Sequence, residues 1–470
     1  TGTNGSLTAK VNITKETTVK VSFKLKKYLV TFSIDGTGGT LKAEVDGTVI
    51  NTNDKVEHGK QVTFTAKASD GYRVKSWMLD GKPITEAGTN TEYTHKVTKE
   101  ASIKVFFEIP SVKDGAVLIL SSDKLTFSVT ARTKDNSDIT VEGCNEATLS
   151  SGMPSSLTAK AGTTKVVLKG NIIELDFRGG YGDEQPLTFL NVRGLTALQK
   201  LSCSYTKLTS LNVQGLTSLQ ELNCDENKLA TLNVQGCTSL KELVCYKNEL
   251  TTLDAHGLTS LQELKCNENK LTALNVQGCT ALKELACYKN ELTTLDAHGL
   301  PALQTLDCSK NKLTALNVQG CTALKELNCS SNKLSTLTVQ GLTTLEWLDC
   351  GGNQLPELNV QGLTALKVLN CYINQLTSLD VKGLTALIYL YCYANKLNAD
   401  AFKKLFTDLP QREKNENAVA ILYTEQTDIP EGNYKDFTTA SEVKTAFDNA
   451  KGTKHWKMQK KDASGNPQDI

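Results

Sequence analysis

Hydrophobic residues recur at a fixed spacing through most of the chain. From Leu198 onward the pattern LxxLxCxxNxLxxLxVxGLxx returns every 21 residues. In the copy LKELNCSSN, the alternation of apolar and polar residues predicts a short strand with Leu324, Leu327 and Cys329 buried. The outward-facing residues of this copy are then Glu326, Asn328 and Ser330. Because one copy has too few apolar residues to fold alone, we expect the copies to stack into a solenoid with a parallel β-sheet.

The pattern also repeats a cysteine, which we call the ladder cysteine, and an asparagine three residues after it. The ladder cysteines are Cys203, Cys224, Cys245, Cys266, Cys287, Cys308, Cys329, Cys350, Cys371 and Cys392. The asparagine recurs from Asn227 to Asn395, and residues 240–281 and 282–323 are nearly the same sequence. Upstream, NIIELDF carries Phe177 in the place of the cysteine. We interpret it as an irregular first repeat.

The segments on either side of the repeats have other patterns. YLVTFSIDG, KQVTFTAKA, YRVKSWMLDG and ASIKVFFE alternate as strands do, whereas ADAFKKLFTDL and ASEVKTAFDNAKG have helical spacing. We therefore predict a partial β module at 1–27, an all-β module at 28–109, a β-rich N-terminal cap at 110–170, the solenoid at 171–397 and an α/β C-terminal cap at 398–470.

Two stretches resemble known families. LxxLxLxxN is the leucine-rich repeat pattern, and its 21-residue form with a strand cysteine, over about Leu187–Leu397, resembles the array of internalin J-type bacterial surface proteins. VEHGKQVTFTAKASDGYRVKSWMLDG resembles the divergent B-repeat of internalin-like and Bacteroides surface proteins. The fold class implied is mainly β with some α, a leucine-rich repeat solenoid between small β modules and an α/β cap. The resemblance also implies an extracellular location on the bacterial cell surface, with β modules as a stalk and repeats as a recognition surface.

Composition and motifs argue against several classes of function. Lys plus Arg number 52 and Asp plus Glu number 51, so we expect no binding to nucleic acid through net charge. The longest apolar run is far shorter than the ~18 residues needed to span a bilayer, so no membrane insertion is expected. Phosphate-binding loops and catalytic motifs are not found, and His256 and His298 fall on turns. We therefore expect neither an enzyme nor a cofactor.

The ladder cysteines are expected to be structural thiols. On adjacent coils their β-carbons are parallel and about 4.8 Å apart, whereas a disulfide needs converging β-carbons at about 3.5–4.5 Å. Single sulfurs in a straight column also do not give the tetrahedral ligand set of zinc, so no metal is expected. We expect small, polarisable core residues with raised thiol pKa values.

The outward strand positions are the candidate binding residues, because packing does not dictate them. The column three residues before the cysteine includes Glu242, Glu284 and Glu326 and then becomes apolar at Trp347, Val368 and Tyr389. The position after the cysteine carries Tyr246, Tyr288, Tyr372 and Tyr393, and Tyr391 lies between the two columns. We expect one aromatic patch on the final three coils, unless the C-terminal cap covers it.

The leading hypothesis is a non-enzymatic surface or secreted bacterial protein that binds a protein or glycan on a host or bacterial surface. We expect it to act as a monomer, in adhesion to host cells or to other bacteria. Two alternatives remain open at this point. The repeats act as a structural spacer in an extracellular or biofilm matrix, or the tyrosines stack on sugar rings.

Overall fold

The computed structural model describes residues 10, 13–16, 18–20, 22, 24–35, 38–69, 72–108, 110–178 and 184–470. The chain divides into two compact units, Thr1–Pro110 and Ser111–Ile470. Of the partial β module predicted for residues 1–27, fourteen residues lie outside the described residues. Each unit is therefore described separately.

The first unit is an all-β module. Its strands are β1 (Lys27–Asp35), β2 (Gly39–Val45), β3 (Thr48–Ile50), β4 (Asp54–Glu57), β5 (Gln61–Ala68), β6 (Arg73–Leu79), β7 (Lys82–Pro83), β8 (Glu92–Lys96) and β9 (Ala101–Glu108). They form two sheets with the orders β4-β1-β9-β6-β7 and β3-β2-β5-β8. Their alternating apolar residues build one core around Phe64 and Trp77, both fully buried. The indole N–H of Trp77 donates to the Asn90 carbonyl at 2.9 Å, which satisfies the one polar atom of that side chain.

The second unit begins with a β-rich segment that is hydrogen-bonded to the repeats. Its strands are β10 (Gly115–Leu120), β11 (Thr126–Thr133), β12 (Ile139–Glu142), β13 (Thr148–Leu149), β14 (Ser155–Thr158), β15 (Lys165–Lys169), β16 (Ile172–Asp176) and β17 (Leu187–Asn191). Strand β11 pairs antiparallel with β16, and β10 pairs antiparallel with β17. These pairings cover the first coil of the solenoid, whose Phe177 is fully buried against Phe127.

The repeats form the parallel sheet that their period predicts. The strands are β18 (Lys200–Ser202), β19 (Leu211–Asn212), β20 (Glu221–Asn223), β21 (Glu242–Val244), β22 (Thr252–Asp254), β23 (Glu263–Lys265), β24 (Ala273–Asn275), β25 (Glu284–Ala286), β26 (Thr294–Asp296), β27 (Thr305–Asp307), β28 (Ala315–Asn317), β29 (Glu326–Asn328), β30 (Trp347–Asp349), β31 (Val368–Asn370) and β32 (Tyr389–Tyr391). Ten of these strands belong to the main sheet, namely β18, β20, β21, β23, β25, β27, β29, β30, β31 and β32. Among them, residues of one strand pair with residues 21 positions later on the next, as Glu326 does with Trp347. The strands β19, β22, β24, β26 and β28 pair outside this sheet. The predicted leucine-rich repeat solenoid is confirmed.

The C-terminal segment continues this sheet. It contains α1 (Ala399–Asp408), a 3-10 turn (Lys414–Glu416), β33 (Val419–Thr424), α2 (Glu442–Gly452), β34 (Lys457–Lys461) and β35 (Pro467–Asp469). The side chains of Asn398 and Ser441 cap the two helices by accepting from backbone N–H groups. Strand β33 pairs parallel with β32, and β34 pairs parallel with β33. The segment is the α/β cap predicted from the sequence, and it extends the sheet.

Each repeated asparagine holds two coils together at the corner that follows the strand. The Asn332 amide nitrogen donates to the Cys329 carbonyl of its own coil at 3.0 Å and to the Cys308 carbonyl of the preceding coil at 3.1 Å. Its amide oxygen accepts from the Leu313 backbone N–H at 2.9 Å. The corner itself has a left-handed residue, Ser331, with φ of 54°. The asparagine thus satisfies backbone groups that the bend removes from the sheet.

Replacement of one such asparagine is expected to destabilise the solenoid strongly. Asn332→Ala leaves the Leu313 N–H buried without a partner, at a cost of about 1–3 kcal/mol. It also removes one of the two amide donors of each of the Cys308 and Cys329 carbonyls, at about 0.5–1.5 kcal/mol each. We expect the free energy of unfolding in urea to fall by about 3 kcal/mol or more. The adjacent exposed Lys333 supplies the control, because Lys333→Ala should change it by about 0.5 kcal/mol or less. Equal effects of the two substitutions would contradict the bridging role.

Candidate functional site

Three side-chain columns form the outer face of the main sheet. We use "outer face" for the residues three before, one before and one after each ladder cysteine. On strand β30 these positions are Trp347 and Asp349, followed by Gly351, while Leu348 and Cys350 between them are fully buried. The alternation of a strand therefore separates the core from this face. The packing of the repeats therefore does not depend on the residues of the outer face.

The ladder cysteines lie on the other side, in the core. All fourteen cysteines of the chain are buried and unpaired, and each ladder cysteine has 0% exposure. Burial raises the thiol pKa throughout, for example from 9.0 to about 12 at Cys245. A thiol that stays protonated and inaccessible is a poor nucleophile and a poor metal ligand. The geometry supports a packing role for these ten residues.

Four further cysteines lie outside that column. Cys237, Cys279 and Cys321 replace the usual leucine after the glycine, and each thiol donates to a carbonyl of the preceding coil at 3.1, 3.1 and 3.2 Å respectively. Cys144 is buried in the N-terminal β segment, and burial raises its pKa to about 11. These contacts also indicate structural thiols.

The first half of the outer face carries paired charges. Lys200 binds Glu221 at 2.8 Å, and Lys265 binds Glu263 at 2.6 Å and Glu284 at 3.5 Å. Glu242, predicted as a ligand residue, is half-buried in this column. Its pKa is raised, first by burial and then by the carboxylates of Glu263 and Glu221.

A depression of about 500 Å³ lies beside these charges, and Tyr246, Asn267, Glu284 and Tyr288 are among its lining residues. Both tyrosines are half-buried, and Asn267 between them is 4% exposed. The pKa of Tyr246 is raised to about 12, first by burial and second by the Asp225 carboxylate. The predicted residues Tyr246, Tyr288 and Glu284 are therefore brought together by the fold.

The last coils carry an apolar column. Trp347 is registered with Val368, which is registered with Tyr389, and all three are half-buried. We call these three residues the aromatic column. Trp347 and Val368 line a second depression of about 440 Å³ together with Lys325, Lys367, Glu346 and the exposed Glu326. The aromatic column is accessible from solvent along its length.

The predicted aromatic patch needs one correction, which concerns Tyr393. Its ring stacks on Tyr372 with centroids 5.0 Å apart and an interplanar angle of 4°, and only 5% of the residue is exposed. Ile421 of the cap strand packs into the same cluster, and the Lys461 ammonium lies 5.1 Å from the Tyr393 ring centroid. Tyr393 is therefore not available to a partner. Tyr372 and Tyr391 are half-buried at the edge of this cluster.

The cap leaves the remaining patch open. Because β33 adds to the sheet beside β32, Val419 is registered with Tyr389 and Ile421 with Tyr391. The outer face is thereby prolonged by the half-buried Val419, whereas Ile421 is 3% exposed and belongs to the cluster around Tyr393. Ser330 was also expected to face a partner, but it is 8% exposed and its hydroxyl donates to Asn328 at 2.7 Å.

Sequence reasoning missed two polar residues of the outer face. Asp349 and Asn370 occupy the position before the ladder cysteine, and they are 8% and 9% exposed. The Asn370 amide nitrogen donates to the Asp349 carboxylate at 3.2 Å. Their outward position in the strand pattern was a usable signal, but only Asn328 and Tyr391 were named from that column.

The described residues form neither a cluster of metal ligands nor a membrane-spanning helix. Within the part of the chain that the structure describes, no three His, Cys, Asp or Glu side chains converge as a metal site would require. Among the same residues, no helix has the length and apolar character needed to cross a bilayer.

Comparison with known proteins identifies one domain family. Residues 39–110 match the family model described as the divergent InlB B-repeat domain, which confirms the resemblance found in the N-terminal module. No curated protein matches the sequence.

Several solved structures are similar to the repeats. The functional domain of InlJ from Listeria monocytogenes, described as including a cysteine ladder, is 38% identical; the match covers 48% of this chain and 50% of that one, with a TM-score of 0.44. This chain therefore spans half of that InlJ chain. An internalin from Listeria monocytogenes, InlF, is 21% identical with coverage of 60% and 89% and a TM-score of 0.41. YopM, a leucine-rich effector protein from Yersinia pestis, is 24% identical with coverage of 51% and 71% and a TM-score of 0.39.

The state of the thiols is directly testable. Titration with an aromatic disulfide reagent should detect fourteen thiols in the denatured chain and almost none in the native protein within minutes, because all fourteen cysteines are buried and free. Exposed Lys333→Cys serves as the reactive control, because it should add one rapidly labelled thiol. Fewer than fourteen thiols after denaturation without reductant would indicate disulfides and contradict the structure.

The raised thiol pKa values also predict alkaline destabilisation. The unfolded chain loses thiol protons above about pH 9, whereas the folded chain keeps them, so the unfolded state binds fewer protons and stability falls as pH rises. For Cys245 the loss runs from pH 9.0 to about 12, with a slope of about 1.4 kcal/mol per pH unit. Cys245→Val should reduce the total slope by that amount in urea unfolding between pH 9 and 11. An unchanged slope would show that the Cys245 pKa is not raised.

Proposed function

We propose that this chain is a non-enzymatic bacterial protein of the cell surface or the extracellular medium, whose outer face binds a macromolecular partner in adhesion to host cells or to other bacteria. The observation that carries the proposal is the aromatic column of Trp347, Val368 and Tyr389, half-exposed on a face that the solenoid does not need for its core. The partner is a protein on a host or bacterial surface.

The physical argument rests on rigidity and composition. Each residue of the column is attached to a strand with hydrogen-bonded neighbours on both sides. Little conformational entropy is therefore lost when a partner binds. Large aromatic side chains of this kind dominate binding energy in protein interfaces. The paired charges in the first half of the face provide a polar border.

The ends of the sheet support action as a monomer. At one end the order is β14-β11-β16, and at the other it is β33-β34-β35. The terminal strands are therefore short segments, Ser155–Thr158 and Pro467–Asp469, rather than an open coil of the repeat. Short or interrupted edge strands oppose the addition of a second copy.

Glycan binding is a second candidate, favoured by the depression between Tyr246 and Tyr288. The two half-buried tyrosines offer rings on which sugar rings stack. Asn267 lies between them and Glu284 beside them, and both side chains accept hydrogen bonds from sugar hydroxyls. A purely structural spacer is the remaining alternative, and it predicts capture of neither proteins nor glycans.

Substitution of the aromatic column tests the proposal. Trp347→Ala and Tyr389→Ala should each lower retention of host or bacterial cells on immobilised protein by about thirtyfold, since truncation of an aromatic hot spot costs about 2 kcal/mol. Tyr205, 41% exposed and outside the column, is the matched control, because Tyr205→Ala should retain cells like the unsubstituted chain. Equal retention by all variants would reject the column as the contact surface.

A glycan array distinguishes the second candidate. Specific signals that disappear with Tyr288→Ala but persist with Trp347→Ala would favour sugar binding. Absence of both cell retention and glycan signals from the unsubstituted chain would favour the spacer.

A further inference from the structure

The central column of the outer face contains a carboxylate that is almost fully buried. Asp349 is 8% exposed. Its carboxylate accepts from the Gly351 backbone N–H at 2.9 Å and from the Asn370 amide nitrogen at 3.2 Å. Among the residues that the structure describes, no Lys, Arg or His nitrogen forms an ion pair with it. A buried charge without a countercharge is costly, and nothing in the packing of the repeat requires it.

The neighbouring side chain has a second unmatched acceptor. Asn370 is 9% exposed, and its amide oxygen is buried without a hydrogen-bond partner. The amide nitrogen of the same group points at Asp349. One carboxylate and one amide oxygen therefore lie side by side on the outer face. The amide oxygen has no donor among the described residues, and the carboxylate has two donors but no countercharge.

Aromatic rings surround this pair. Trp347 lies on the same side of strand β30, two residues before Asp349, and Tyr391 is registered with Asn370 on the next strand. The Tyr372 ring lies against Gly351, where a β-carbon would be 2.5 Å from the ring carbon Cζ. The pKa of Tyr372 is raised to about 12, first by burial and second by the negative charge of Asp349.

The arrangement is local and is not a property of the repeat. In the first half of the array the same column carries Val244, Lys265 and Ala286, and the Lys265 charge is paired with Glu263 and Glu284. In contrast, Asp307 and Asp349 in the second half form no ion pair among the described residues. The two carboxylates of this column therefore lie in the second half of the array, and Asp349 shares its strand with Trp347.

We infer that Asp349 and Asn370, framed by Trp347, Tyr372 and Tyr391, receive an arginine side chain of the protein partner. A guanidinium has five N–H donors in a planar fork, enough for the carboxylate and the amide oxygen together. Its flat faces also stack on aromatic rings. A hard metal ion is a poorer occupant, because calcium takes six to eight oxygen ligands, whereas the Asp349 carboxylate and the Asn370 amide together have three side-chain oxygens. The inference rests on the proposed function and specifies the chemistry of the partner.

The experiment uses the whole chain and a small probe. The probe is N-acetyl-arginine methylamide, and its uncharged isostere is N-acetyl-citrulline methylamide. Binding is followed by tryptophan fluorescence, because Trp347 is half-exposed whereas Trp77 and Trp456 are 0% and 2% exposed. We expect a saturable change with the arginine probe and a dissociation constant at least about tenfold higher with the citrulline probe, the loss expected for a charge-assisted contact.

Asp349→Asn is the decisive variant. Asparagine occupies the same position in the adjacent coils at Asn328 and Asn370, so the fold accepts it. Because the substitution removes a buried charge, the thermal midpoint without probe should stay equal or rise, while affinity for the arginine probe should fall by about tenfold or more. Exposed Asp138 provides the control, and Asp138→Asn should leave affinity unchanged. Asn370→Ala, which keeps the carboxylate and removes the amide oxygen, should weaken binding several-fold.

The results separate this inference from the proposed function. Equal binding of the two probes, no saturable binding, or unchanged affinity in Asp349→Asn would overturn the arginine site, whatever the cell-retention assay shows. Probe binding that requires Asp349, together with no retention of cells, would keep the site and reject adhesion.

Discussion

The solenoid depends on hydrogen bonds that no coil can complete alone. At the end of each strand the chain bends through a left-handed residue, and the bend leaves carbonyl and N–H groups without sheet partners. The buried asparagine three residues after the ladder cysteine supplies them, with its nitrogen directed to carbonyls of two coils and its oxygen to an N–H of the preceding coil. A coil without its neighbour would expose the same groups. The asparagine therefore couples the stability of every coil to the next.

The same corner explains the cysteine. It is the last inward residue before the bend, and its backbone N–H donates to the following coil, as Cys329 does to Asp349 at 2.8 Å. A cysteine is smaller than leucine, so cysteines stack closely in a column. Burial of the thiol costs little free energy, because S–H is only a weak hydrogen-bond donor. The buried thiols are thereby kept from reacting. The residues that vary from coil to coil lie on the outer face.

The 21-residue period was sufficient to predict the fold. Because the same positions of every repeat face the core, neighbouring strands can pair in only one register. Glu326 pairs with Trp347 for that reason. Burial on the outer face was not predictable in the same way. Tyr393 is buried by Tyr372 and by Ile421 of the cap. Ser330 is also buried, with 8% exposure, and its hydroxyl donates to Asn328. Asp349 looked like any surface carboxylate in sequence, since its burial depends on Asn370 and Tyr372, which lie 21 and 23 residues away.

The near-identity of residues 240–281 and 282–323 has an evolutionary consequence. Each of the two copies is two coils long, and its strands pair in the same register as those of any other coil. Recombination between such copies would add or remove about 10 Å of solenoid at a time without altering the sequence of either cap or of the final coils. Recombination of this kind changes the distance between the N-terminal β segment and the aromatic column. The residues of the aromatic column themselves stay the same.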